Sequence, residues 1–285
     1  MAKTGFLARD LLNWSAGMVA MPALGGRFIG LFTTAPTDAD TGSVEVSGGA
    51  YARAQVAGQL ATSAATSNSA TLTFSAVPAW IKAGMTVLDL TTPADIGAGV
   101  TVASTTGTTV TLSASVTVGL GDNITFSTFP AATSEGPASV VSGSIISFPQ
   151  ATASWGTVVA WGLFDAATAG DLLYWDWIGN DPWFPFDGTL ASPGVLTAYG
   201  ITAGSVPALA NGASVVLTGR FGGTLPTGLS PETVYTVALL SADTFNVGVN
   251  TTATGAGLVR QLTEQPIAIN VTFSIPSGDL AIYES

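Results

Sequence analysis

Apolar and polar positions alternate with a period of two over much of this chain, and the pattern is clearest in "TVTLSASVTV", residues Thr109 to Val118. There Val110, Leu112, Ala114, Val116 and Val118 share one face while Thr and Ser take the other, the signature of a half-buried strand. "RFIGLFTTAP" (Arg27 to Pro36) reads as a further strand closed by a proline, and "TFNVGV" places Phe245, Val247 and Val249 on one side. β-Branched residues and turn signals recur every eight to twelve residues, a rhythm of all-β domains. One segment departs from it. Leu7, Leu11, Trp14 and Met18 repeat at helical spacing, Thr4 can cap the start, and Pro22 with Gly25 and Gly26 stops the run. The stripe suits a helix lying on its own core or one that docks another subunit, and periodicity does not separate the two.

A faint echo links "VPAWIKAGMTV" (Val77 to Val87) with "VPALANGASVV" (Val206 to Val216), each inside a segment rich in Thr, Ser and Gly. The two segments read as inserted β modules. The expected fold is mainly β: a compact antiparallel β-sandwich core with an N-terminal helix and two inserted small β domains. Its expected divisions are 1–57 (core), 58–129 (module 1), 130–187 (core), 188–261 (module 2) and 262–285 (closing strand).

Composition narrows the function. Charged residues make up 9% of the 285, against roughly 25% in ordinary soluble domains, while 47% are hydrophobic. Such a surface is solvated weakly and suits a protein covered by neighbours in an assembly. The net charge is −11, and the seven cations (Lys3, Arg9, Arg27, Arg53, Lys82, Arg220, Arg260) are scattered singly. Nucleic acid and anionic membrane surfaces are therefore not expected partners. The chain has no Cys and no His, which excludes disulfides, Ser-His-Asp and Cys-His triads, and His-based zinc sites. Lys3, Arg9 and Asp10 interrupt any signal-peptide core, so synthesis in the cytoplasm without an export signal of its own is the expectation.

Candidate chemistry is sparse. Asp165, Asp171, Asp176 and Asp181 recur at five or six residues, a carboxylate set that glycoside hydrolysis could use, but each reads more simply as a turn residue. A calcium site from Asp176, Asn180 and Asp181 lacks an EF-hand-like loop. No catalytic residue, metal ligand or cofactor is expected. The dense aromatic stretch "LLYWDWIGNDPWFPF" (Leu172 to Phe186) stands out instead. Alternation places Leu173, Trp175 and Trp177 on one face and Leu172, Tyr174, Asp176 and Ile178 on the other, both apolar enough to be covered. Pro182 and Pro185 then suggest an irregular loop presenting Trp183, Phe184 and Phe186. These aromatics fit a subunit interface, the protein's own core, or a sugar-stacking surface. Arg53 fits a bridge to Glu45 or a bidentate reach to a partner carboxylate. Expected interface residues are thus Trp175, Trp177, Trp183, Phe184, Phe186, Arg53, Leu7, Leu11 and Trp14.

Three stretches resemble a family of small bacteriophage virion proteins described as tail-fibre-like. They are Leu31-Phe32-Thr33 with Pro36-Thr37-Asp38-Ala39, then Glu45-Val46-Ser47-Gly48-Gly49 with Tyr51-Ala52-Arg53, and "SWGTVVAWGLFDAATAGDLLYW" from Ser154 to Trp175, where Ala169 replaces a family glycine. "INVTFSIPSGDLAIYES" (Ile269 to Ser285) resembles the family's closing strand. The resemblance implies a non-enzymatic virion component. A homotrimeric capsid decoration (cement) protein contacting the major capsid protein or other virion subunits is the first expectation. A tail or head fibre, or adsorption protein, binding host surface glycans is the alternative.

Overall fold

The computed structural model describes residues 2–18, 25–37, 39, 41–131, 139–178, 183–199, 209–219, 224–231, 233–241 and 243–283. It is mainly β, with antiparallel sheets and one short helix. Two compact units divide the chain: Met1–Trp177 with Pro266–Ser285, and Ile178–Gln265. Among the described residues, no helix is long and apolar enough to cross a membrane.

The first unit is built on an eight-stranded sheet. Its order is Ala2–Lys3, Leu172–Trp177, Ala160–Phe164, Arg27–Thr34, Ala54–Ala61, Asn123–Ser127 and Thr86–Asp89, with Val44–Glu45 added to Arg27–Thr34. Ala160–Phe164 is buried at every position, as expected of a strand covered on both faces. Ala54–Ala61 is the hinge of the sheet. Its first half pairs with Arg27–Thr34 and its second half with Asn123–Ser127. Residues 58–129 therefore have a core of their own, including Leu72, Phe74, Ile81, Val87, Leu112 and Phe126, yet share a strand with the main sheet and stay within the first unit. A three-stranded sheet, Thr66–Thr73, Thr109–Val118 and Val102–Thr105, completes that core. The strand expected at Thr109–Val118 is found with those bounds, and Val110, Leu112, Val116 and Val118 are buried. Ala114 is exposed, because the pairing with Thr66–Thr73 slips register twice along this strand.

The helix spans Gly5–Ser15, so it ends before Met18, and Pro22 lies outside the described residues. Thr4 caps it as expected: its Oγ1 accepts from the Leu7 amide and donates to the Leu172 carbonyl at 2.6 Å. The same residue is tied by its amide to the Leu173 carbonyl, which fixes the helix to the sheet edge.

The second unit carries a seven-stranded sheet in the order Val234–Thr236, Ser214–Gly219, Gly255–Gln261, Phe184–Gly188, Leu196–Ala198, Thr244–Asn246 and Ala238–Leu239. Phe186, Leu196, Val215, Leu217, Phe245 and Val259 form its core. The unit begins at Ile178 rather than 188 because Phe184–Gly188 is a central strand of this sheet. That corrects the reading of this piece as an irregular loop. Pro185 is tolerated at the end of the ladder with Leu196–Ala198, where its carbonyl accepts from the Tyr199 amide.

Candidate functional site

The family-like motifs converge on one cluster in the first unit. Arg53 grips Glu45 bidentately, Nε to Oε1 at 2.8 Å and Nη2 to Oε2 at 2.7 Å. Its Nη1 donates to the Ala166 and Ala169 carbonyls at 2.9 and 2.6 Å, and the guanidinium lies 3.3 Å from the Phe164 ring centroid. Ala169 sits at φ 52°, a left-handed position that explains why glycine is natural there. Tyr51 donates to Glu45 Oε1 at 2.9 Å and accepts from the Leu31 amide at 2.8 Å, and its ring meets Trp155 edge-on. Trp155 in turn donates from its indole nitrogen to the Gly49 carbonyl at 2.9 Å. Burial pushes the Tyr51 phenol far above its ordinary range. With its side chain 8% exposed and its donors directed inward, Arg53 locks three segments of its own chain together. Of the two alternatives, the bridge to Glu45 is the one found, and it is bidentate.

The other expected interface residues separate by exposure. Trp175 and Trp177 are buried and meet edge-to-face at 5.8 Å. Phe186 is buried in the second unit's core, and Phe184 packs against that core. Trp183 remains 37% exposed, with the Arg260 guanidinium 5.8 Å from its ring centroid. Leu7 and Leu11 are half-buried, whereas Trp14 is 45% exposed, next to Leu12 at 69% and Met18 at 74%. Of the expected interface residues, Trp14 and Trp183 therefore stay available to a neighbour, and Trp175 and Trp177 do not. Asp165 closes a turn as expected, its Oδ1 accepting the Asp171 amide at 2.8 Å, whereas Asp176 lies within the strand Leu172–Trp177, opposite Trp161, and its Oδ1 accepts the Trp177 amide. Asn180 and Asp181 lie outside the described residues.

A groove of about 380 Å³ opens in the first unit, a volume within the range of small-ligand sites. Arg27–Thr34 supplies Phe28, Ala54–Ala61 supplies Gln55, the segment after Thr66–Thr73 supplies Trp80 and Lys82, and Ile146–Gln150 supplies Phe148. Trp80 is half-buried, held against the backbone at Gly58, where a Cβ would stand 3.0 Å from the indole. Gln55 donates to the Ala57 carbonyl at 3.1 Å, which orients its amide, and Lys82 is exposed at the rim. An indole and a phenyl ring beside an oriented amide and an ammonium can stack on a sugar ring and bond its hydroxyls. Little in the local sequence marks this groove. Its members lie far apart along the chain, and the only local signal was a tryptophan two residues from a lysine.

The family described as "Podophage GP4 fiber I protein gp80" matches residues 2–129 and 88–180, which together span more than half of the chain. The match ends at residue 180, three residues into the second unit, so nearly all of that unit and the closing stretch at 269–285 lie outside it. No curated protein and no solved structure matches the chain.

Proposed function

We propose, for a chain that belongs to the podophage GP4 fiber I protein gp80 family, an adsorption role: a non-enzymatic fibre protein of the virion that binds carbohydrate on the host surface. The groove formed by Phe28, Gln55, Trp80 and Lys82 carries this reading, because it joins aromatic faces to oriented hydrogen-bonding groups in one open recess. The absence of His and Cys, and the use of Asp165 to close a turn, support binding without turnover. The test is binding of the purified chain to host surface polysaccharide, with adsorption of phage carrying the same variants. Trp80→Ala should weaken both about tenfold or more while the far-UV circular dichroism is kept. Lys82→Ala, a change at an exposed side chain, should weaken binding to a smaller degree. Wild-type affinity in both variants would overturn the reading.

A second reading keeps the capsid: a homotrimeric decoration protein that docks on the major capsid protein or another virion subunit. The exposed Leu12, Trp14 and Met18 favour it, since a covered neighbour would desolvate them. Copy number separates the two. Hundreds of chains per particle, with particle stability lost and adsorption intact on removal, support decoration; a handful of copies supports the fibre.

A further inference from the structure

We infer that the first unit holds a calcium ion between Asp89, Asp95 and Asp122. Thr86–Asp89 and Asn123–Ser127 are paired antiparallel, with Asp89 opposite Ile124, so Asp89 ends one strand where Asp122 precedes the other. The loop after Asp89 then brings in Asp95, whose amide donates to the Thr92 carbonyl at 2.9 Å. One carboxylate oxygen from each of the three lies within 4.8 Å of the others. Opposite ligands on a calcium ion stand ~4.6–5.2 Å apart, so a single ion can span the set.

The second observation is the state of Asp89. It is buried, and its Oδ1 accepts from the Thr91 and Thr92 amides at 2.7 and 3.0 Å. Its Oδ2 is also buried and has no hydrogen-bond partner. A buried carboxylate oxygen left unpaired is costly, and two further carboxylates beside it add repulsion. Among the described residues, no lysine or arginine forms an ion pair with any of the three. A divalent cation removes both penalties at once. The donors are all hard oxygens, which favours calcium over zinc, and backbone carbonyls and water can complete the six to eight ligands calcium takes. Asp122 Oδ2 is held by the Gly119 amide at 2.7 Å, so the ion would fasten both loops at this end of the module. Ile81, Met85 and Ile96 belong to the core of the same module.

The experiment is calorimetric titration of the chelator-treated full chain with CaCl2, paired with thermal unfolding in calcium and in EDTA. Saturation at one ion per chain, with a Kd of ~10⁻³ M or tighter and a raised Tm, is expected. Asp95→Asn, a change at a half-buried loop carboxylate, should keep the circular dichroism and weaken affinity ~10-fold or more; Asp122→Asn should do the same. Magnesium should bind more weakly, since it demands shorter and stricter octahedral geometry. No heat and no Tm shift at ~10 mM calcium would overturn the inference. So would unchanged affinity in both variants. Trp80→Ala should leave calcium binding intact, so failure of the sugar site and failure of the ion site are separate results.

Discussion

Tyr51 shows how one side chain joins several parts of the first unit. Its hydroxyl accepts from Leu31 on one strand and donates to Glu45 on another, while its ring packs on Trp155. Burial, together with the negative charge of Glu45, raises its pKa above the ordinary value of 10.0. The folded state therefore holds this proton more tightly than the unfolded chain. The resulting stability is fully present below about pH 10 and is lost as pH rises from there toward the folded pKa. Denaturant midpoints should be flat near neutrality and fall above about pH 10, and Tyr51→Phe should flatten that alkaline slope. A slope unchanged in the variant would mean that another group is responsible. Arg53 was legible as a bidentate residue, but its partner was not settled. The carbonyls of Ala166 and Ala169 that complete its shell lie more than a hundred positions away, and only the fold brings them to it.

The echo between the two modules resolves into a shared turn. In the first, the Met85 amide donates to the Lys82 carbonyl, Gly84 sits at φ +86°, and buried Ile81 precedes the turn. In the second, the Ala213 amide donates to the Ala210 carbonyl, Gly212 sits at φ +82°, and buried Leu209 precedes it. Residues 206–208 lie outside the described residues. Glycine is required at both places because a side chain disfavours the left-handed region by about 1 kcal/mol or more. Gly212→Ala should cost about that amount, since open space surrounds its Cβ position. Gly84→Ala should cost more, because its Cβ would also stand 2.8 Å from the Gly143 carbonyl oxygen. Equal losses in urea unfolding would refute the distinction. The aromatic stretch shows the opposite limit of local reading. In its first half, two apolar faces predict the doubly covered strand that is found; in its second half two prolines mask a strand that ladder position, not sequence, allows.

At the scale of the whole molecule, the chain folds as two units with separate cores, and the family match covers most of one of them. Separate cores can unfold as separate cooperative units. Scanning calorimetry should show two transitions, and residues 178–265 expressed alone should reproduce one of them; a single transition, with that fragment unfolded, would mean that the units depend on each other. By itself the sequence determined the β class, the N-terminal helix with its Thr4 cap, the strand Thr109–Val118 and the virion family, because alternation, capping and long motifs are local along the chain. Only the tertiary structure decided that Trp175 and Trp177 are buried, that Trp80 lines a groove, and that Asp89, Asp95 and Asp122 meet. "LDLTTPADIG" and "GLGDN" carry those aspartates among ordinary turn residues, and nothing in either stretch announces the other. Strand pairing joins them, and pairing depends on which distant faces must leave water together.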